Sequence, residues 1–438
     1  MNFIAQIKEL FVGKPWLNRL LLVLLLSYLG SLSCTSLLYL PWFGNKIQVT
    51  ELCFLLILCC LPLLARFPWY LRLTFLDWVV ILHLFGVLIS LCFYPTVEVL
   101  KEVLGTLYLG AGYFLFSRLF YYLRKDLTSV LQMGLALCVF LASLLGLIAG
   151  ILLLLGTETA LFYLYENYPY LGDVQRLKGF ASSPNLFFST LALSSIFLYG
   201  LDRKRYQLLT LTSFVICFIT FSKGLALMLL FILFIRLQQE KSAIEWQIRH
   251  LFFFLLAGGL YLSLTWFTLR SNEGLLMLNQ KLNVEQLYHE SIGNLGPFSV
   301  HYTTHFALQR GSLAIINKHG WKGCGFGNYK TSIEQMKIDG QYPASFASYD
   351  PHSFYTAQIA ELGIMSIPFL LLLPFAIIKI LYELRSLDPT IRNALLLALL
   401  FMMLESTCIG SLHFRHYWMI LAVVNAFYLL KRDELAFR

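Results

Sequence analysis

The chain has 438 residues, of which 58% are hydrophobic and 13% charged, and its mean hydropathy is +0.70. So little charge would leave a soluble protein of this length aggregated, which excludes a water-soluble globular fold and makes a lipid bilayer the solvent. The net charge of +9 reads as the cationic bias of membrane loops plus attraction for anionic membrane lipids, and implies no nucleic-acid partner.

Apolar runs long enough to enter a hydrocarbon core recur along the chain. The first six lie at Leu20 to Trp42, Val49 to Leu64, Leu76 to Tyr94, Leu104 to Phe120, Val130 to Leu155 and Pro184 to Leu201. Six more lie at Tyr206 to Phe221, Leu225 to Leu237, Leu251 to Phe267, Ser353 to Leu381, Ala394 to Ile409 and Tyr417 to Leu430. Basic residues are retained on the cytoplasmic side. With the amino terminus inside, most of the 33 Lys and Arg fall in inside segments, among them Arg118, Arg203 and Arg236, so both termini are expected in the cytoplasm. The expected fold is all-α, a polytopic membrane protein of about twelve transmembrane helices with one long, partly helical outer loop. The blocks expected are amino-terminal helices and an interfacial segment over 1–183, central helices over 184–270, the large loop over 271–351 and carboxy-terminal helices over 352–438. Of the nine cysteines, Cys324 alone falls in an outer loop, so neither a loop disulfide nor a CxxC redox or metal site is expected.

Two outer segments stand out. Thr157 to Ser183 carries Phe162, Tyr163, Tyr165, Tyr168 and Tyr170, the aromatic enrichment of a membrane interface, and is expected to lie along the outer surface. It ends in Ser183-Pro184-Asn185, a helix-start signal, with Arg176 just upstream. The runs flanking Ser222-Lys223-Gly224 are short for full spans, which places Lys223 in a recessed turn facing a cavity. Ser271 to Asp350 is too long for a connector and marks a functional loop. Within it His301 to His319 reads as a helix with Phe306, Arg310, Leu313 and Ala314 on one stripe. Gly323-Cys324-Gly325-Phe326-Gly327 follows no strand, so a dinucleotide site is rejected.

The loop runs into Asp350-Pro351-His352. Asp350 fits an N-cap and Pro351 the first helical position, which puts His352 in a first turn where the helix dipole favours neutral imidazole. Arg176, Lys223, Arg310 and Arg415 are outer cations without acidic sequence neighbours and suit an anionic ligand. Arg415 also has a plainer reading as a snorkelling anchor and Lys223 as a turn residue, and His413 and His416 read as interfacial side chains, whereas Arg176 and Arg310 are less easily dismissed. His301, His305 and His319 match no standard ligand spacing and read as solvated surface histidines. No Asp-x-Asp is present to hold a divalent metal for a nucleotide-sugar donor.

Taken together, several segments resemble the O-antigen ligase and polymerase family of membrane glycosyltransferases. Arg176-Leu177-Lys178-Gly179-Phe180 with Ser183-Pro184-Asn185 resembles the family's Arg, Gly, Pro-Asn segment, and Phe221-Ser222-Lys223-Gly224 its Ser-Arg-Gly turn, with Lys in place of Arg. Arg310 ahead of the Gly323 to Gly327 turn resembles the Arg helix and Gly-rich turn. Pro351-His352-Ser353-Phe354 with Glu361-Leu362-Gly363 resembles the His-Asn-Ser-Tyr and Glu-Leu-Gly pattern, with Ser353 in place of Asn. The resemblance implies a bacterial inner-membrane enzyme with its site facing the periplasm and no metal or other cofactor. It implies a glycan donor linked to undecaprenyl pyrophosphate and, for a ligase, lipid A-core as the acceptor. His352 would be the general base, Arg310 and Arg176 the pyrophosphate clamp, and Lys223, Arg415, Asp350 and Asn185 further substrate contacts. Glu361 is expected to pack between helices rather than orient His352. An O-antigen polymerase or a protein O-oligosaccharyltransferase shares the donor chemistry. A flippase or transporter for a lipid-linked anion is the alternative from another class.

Overall fold

The computed structural model describes residues 9–34, 48–64, 67–68, 73–157, 159–168, 172–237, 243–271, 291–342, 351–411 and 413–436. Each predicted apolar run is helical over most of its described residues. The amino-terminal group is α1 (Trp16–Gly30), α2 (Val49–Cys60), α3 (Phe75–Phe93), α4 (Val97–Leu123) and α5 (Leu127–Leu154). Then come α6 (Pro184–Leu201), α7 (Arg203–Ile219), α8 (Gly224–Leu237) and α9 (Ala243–Trp266). Among the described residues, four of these helices (α3, α4, α5 and α6) and the helical run Phe354–Ser386 are long and apolar enough to cross a membrane. Trp16–Gly30, Val49–Leu63, Gly224–Arg236 and Phe252–Trp266 are shorter apolar helices.

The chain is mostly helical but not all-α. The segment expected to lie along a surface is a hairpin, β1 (Phe162–Tyr168) against β2 (Gly172–Leu177), with Tyr163 opposite Arg176. The long loop opens with a three-stranded antiparallel sheet in the order β3 (Phe267–Ser271), β5 (Phe298–Tyr302), β4 (Ser291–Leu295). It continues through α10 (Thr304–His319) and α11 (Tyr329–Ile338). The single run read from Ser353 to Leu381 is divided into α12 (Phe354–Leu362) and α13 (Ile367–Glu383) by a 3-10 turn at Gly363–Ser366. The last two helices are α14 (Pro389–Glu405) and α15 (Arg415–Ala436).

Polar starts fix several helices inside an apolar sequence. Thr74 and Asp77 form a capping box on α3, the Thr74 hydroxyl accepting from Asp77 N at 3.0 Å and the Asp77 carboxylate from Thr74 N at 2.8 Å. Ser183 caps α6 and Pro184 opens it, as that motif predicts. α6 is the axis of the bundle, with 83% of its apolar window buried and α5, α7 and α14 packed around it. Arg118, expected at a loop edge, is buried and bidentate to Asp77 at 3.0 and 3.1 Å. Asn425 on α15 donates to the same carboxylate at 3.0 Å, so one satisfied polar knot ties α3, α4 and α15.

The Gly-rich turn is a clamp on α12. Cys324 N donates to Ala360 O and Gly325 N to Glu361 O, both at 2.9 Å, closing carbonyls that the short helix would leave open. Phe326 is buried among Val87, Val99, Val103 and Leu362, its amide donating to the Ser90 hydroxyl at 2.8 Å. Gly363 has φ +56, and a Cβ there would stand 2.0 Å from Trp321 O. Gly363→Ala therefore combines left-handed strain of about 1–3 kcal/mol with a backbone clash. It should lower the thermal midpoint of the purified protein measurably, whereas Gly259→Ala, with open space around it, should not.

Candidate functional site

Arg176 leaves β2 and reaches two helix ends. Its Nε donates to Thr220 O, just past α7, at 2.9 Å, and its Nη2 to Asn185 Oδ1 in the first turn of α6 at 3.0 Å. The guanidinium lies 5.7 Å from the centre of the Tyr165 ring. The turn that presents Thr220 also carries Lys223, which donates from Nζ to Thr265 O near the end of α9 at 3.3 Å. Burial pushes the Lys223 ammonium down to about 8. Among the contacts of these two cations are carbonyl and amide oxygens, which orient the charge without cancelling it.

From Thr265 the polar row continues. Its carbonyl also accepts from the Thr303 hydroxyl, and Thr303 N donates to Trp266 O at 2.8 Å. The Trp266 indole N–H donates to Gln309 Oε1 on α10 at 3.0 Å, and Gln309 Nε2 donates to Thr407 O at 3.0 Å. Thr407 belongs to the turn after α14. There Ser406 O and Ile409 O accept from Phe354 N at 2.9 and 3.2 Å, which anchors the first residue of α12. Hydrogen bonds and this short turn thus link Arg176 and Lys223 to the segment that carries His352.

That segment differs from its sequence reading. α12 starts at Phe354 with Ser353 as its N-cap, the Ser353 hydroxyl accepting from Thr356 N at 3.5 Å. His352 is outside the first turn, at φ +44, a left-handed conformation that a helical first turn excludes. The α12 dipole therefore does not act on its imidazole as on a first-turn residue. Asp350, the expected cap, lies outside the described residues. The His352 ring instead faces His305 in the first turn of α10, with ring centres 5.0 Å apart.

Arg310 is exposed on α10 and, among the described residues, holds no hydrogen bond or ion pair. It lies about 140° round the helix from His305. Of the stripe read with Arg310, Phe306 and Ala314 are half-buried. Leu308, Ser312 and Ile315 are buried, whereas Leu313 is exposed. Neither Arg176 nor His352 touches Arg310. Arg415, read as a cation without an acidic neighbour, has one from another helix: it pairs with Glu51 on α2 at 2.6 Å and donates to the Thr50 hydroxyl at 2.9 Å. Its charge is thereby neutralised within the bundle. His301 is buried and bonds to the Ser299 hydroxyl at 2.8 Å, so it is not a solvated surface histidine. His416 is also buried, whereas His413 is exposed near Glu102. The nonpolar surroundings of Gln309 and Thr265 gave no sequence cue to their roles. His305 lay in plain view, but its pairing depends on how α10 packs against α12.

No protein-family model matches the chain, and no curated protein does.

The reading of the site therefore rests on its geometry. Carbonyl and amide oxygens orient two cations, and a histidine in a left-handed conformation stands beside a second one where the row ends. Gln309 is the joint between the two halves of the row. Gln309→Ala leaves the Trp266 N–H and Thr407 O without their partner and should cost about 1–3 kcal/mol of stability. Gln309→Glu keeps the acceptor for Trp266 but loses the donor to Thr407, and its melting midpoint should fall between the two.

Proposed function

We propose that the chain is a metal-independent, inverting membrane glycosyltransferase of the O-antigen ligase type. It moves a glycan from undecaprenyl pyrophosphate to a sugar hydroxyl of lipid A-core. In this reading about twelve helices cross the bacterial inner membrane and the hairpin, the small sheet, α10 and α11 face the periplasm. The observation that carries it is the polar row of hydrogen bonds that joins Arg176 and Lys223 to the His352 segment, two cations and a histidine linked along one line of contacts.

His352 accepts the proton of the acceptor hydroxyl as that oxygen attacks the anomeric carbon. The bond from that carbon to the pyrophosphate oxygen breaks, and its electron pair leaves with the pyrophosphate. Arg176 and Lys223 hold the departing charge, Arg176 with a planar fork suited to two phosphate oxygens. Arg310 meets the same pyrophosphate from the exposed side of α10. Asn185, as the partner of Arg176, sets the direction of that fork. Pyrophosphate is a good leaving group, so no acid is needed to protonate it.

Two experiments test this. His352→Asn suits the left-handed backbone but supplies no basic nitrogen. In proteoliposomes with a defined lipid-linked donor it should cut transfer by about 10²–10⁴ while leaving the melting midpoint unchanged or higher. Near-normal turnover would remove His352 as the base. The second is a pH profile. Lys223 is charged below about 8 and neutral above it, so kcat/KM for donor should fall as pH rises through that value. In Lys223→Arg, whose guanidinium keeps its charge, that limb should disappear. Its persistence would separate Lys223 from donor binding.

A further inference from the structure

Beside the row, three helices meet in a polar knot that the transfer reaction does not use. Ser189 and Thr190 come from α6, Glu405 ends α14, and His416 and Tyr417 begin α15. Ser189, Thr190 and Glu405 are 0% exposed and His416 is 2% exposed. Their hydrogen bonds can be assigned by counting protons. The Thr190 hydroxyl donates to Leu186 O at 2.9 Å, so at its 3.1 Å contact with His416 Nδ1 it must accept. Nδ1 therefore carries a hydrogen.

The Ser189 hydroxyl has one hydrogen and two neighbours, Glu405 Oε2 at 2.7 Å and His416 Nε2 at 2.9 Å. Two proton placements satisfy both contacts. In one, the Glu405 carboxyl donates to Ser189 and Ser189 donates to Nε2, leaving both ends neutral. In the other, Nε2–H donates to Ser189 and Ser189 donates to the carboxylate, leaving an imidazolium and a carboxylate. The Tyr417 hydroxyl donates to Glu405 Oε2 in either case.

We propose that Glu405, Ser189 and His416 form a buried proton-binding site in which one proton passes between carboxyl and imidazole through the Ser189 hydroxyl. The Glu405 O–H bond breaks as a Ser189 O–H bond forms, and the other Ser189 O–H bond breaks as Nε2–H forms. No electron is transferred and no outside donor enters the step. The ligand of the site is a proton. Among the described residues Glu405 Oε1 has no hydrogen-bond partner, and its lone pairs are where a water that exchanges the proton would bond. Tyr417 on α15, Cys217 on α7 and Tyr261 on α9 face the carboxyl. Cys408 adjoins both Tyr261 and Lys223. The charge at Glu405 is therefore set two side chains from the cation row.

The test is infrared difference spectroscopy on the full chain in lipid nanodiscs, titrated from acidic to alkaline buffer in H2O and in D2O. The wild type should show a protonated-carboxyl C=O band and an imidazole band that change together. Glu405→Gln keeps side-chain hydrogen bonds to Ser189 and Tyr417 but holds no exchangeable acid proton. It should abolish the carboxyl band and also displace the imidazole band. Ser189→Ala should retain both bands with separate midpoints. Absence of the carboxyl band in the wild type would overturn the proposal. So would an imidazole band indifferent to Glu405→Gln, which is what a purely structural knot gives.

Discussion

A helix that begins inside an apolar bundle must find acceptors for its first N–H groups, because lipid and side-chain hydrocarbon offer none. α12 finds one on another part of the chain. Phe354 N bonds to two carbonyls of the turn after α14, Ser406 O and Ile409 O. That turn is consequently fixed to α12, and its next carbonyl, Thr407 O, is aimed at Gln309. The same geometry sets the residue two places before α12, so His352 takes its left-handed backbone where His305 can meet it. Glu405 is adjacent to the turn and inherits its position. One pair of backbone contacts thus locates the histidine, the joint of the polar row and the buried carboxyl.

The far end of α12 is fixed by backbone contact too. Gly323 and Gly363 approach so closely that a Cβ on Gly323 would meet Glu361 O at 2.3 Å. Tyr94 reaches across from beyond α3 to donate to Gly323 O at 2.7 Å. A nine-residue helix has few internal hydrogen bonds. Held at both ends by partners from α3, α14 and the Gly-rich turn, it becomes a rigid support, which is what a reacting histidine needs if its position is to be kept.

The helices were legible because burial in lipid demands long apolar runs, and each run near Leu76 or Pro184 could be read directly. The start of α6 was legible too, since Ser183 and Pro184 act locally. The start of α12 was not. Asp350-Pro351 and Ser353 both offer caps, and contacts with Ser406 and Ile409, far along the chain, decide for Ser353. The strands escaped for the opposite reason: Phe162 to Leu177 is short and aromatic-rich, and an interface gives the same composition as a hairpin, while β3, β4 and β5 have five residues each, too few for alternation to stand out. Of the site residues, Arg176 and Asn185 were read near each other and do touch. His305, Gln309 and Glu405 owe their roles to contacts distant in sequence.

The cations divide by what surrounds them. Arg118 and Arg415 sit against carboxylates, Asp77 and Glu51, and each pair is close to neutral as a unit. Such pairs cement helices and have little left to offer an anion, since a second negative charge would compete with the first. Lys223 donates to the Thr265 carbonyl, and Arg176 to the Thr220 carbonyl and the Asn185 amide, oxygens that orient a cation. Partial burial then raises the cost of leaving that charge uncompensated, as the depressed Lys223 ammonium shows. What surrounds each cation, rather than the number of cations, is what puts the Arg176 and Lys223 end of the row forward in the proposed pyrophosphate reading.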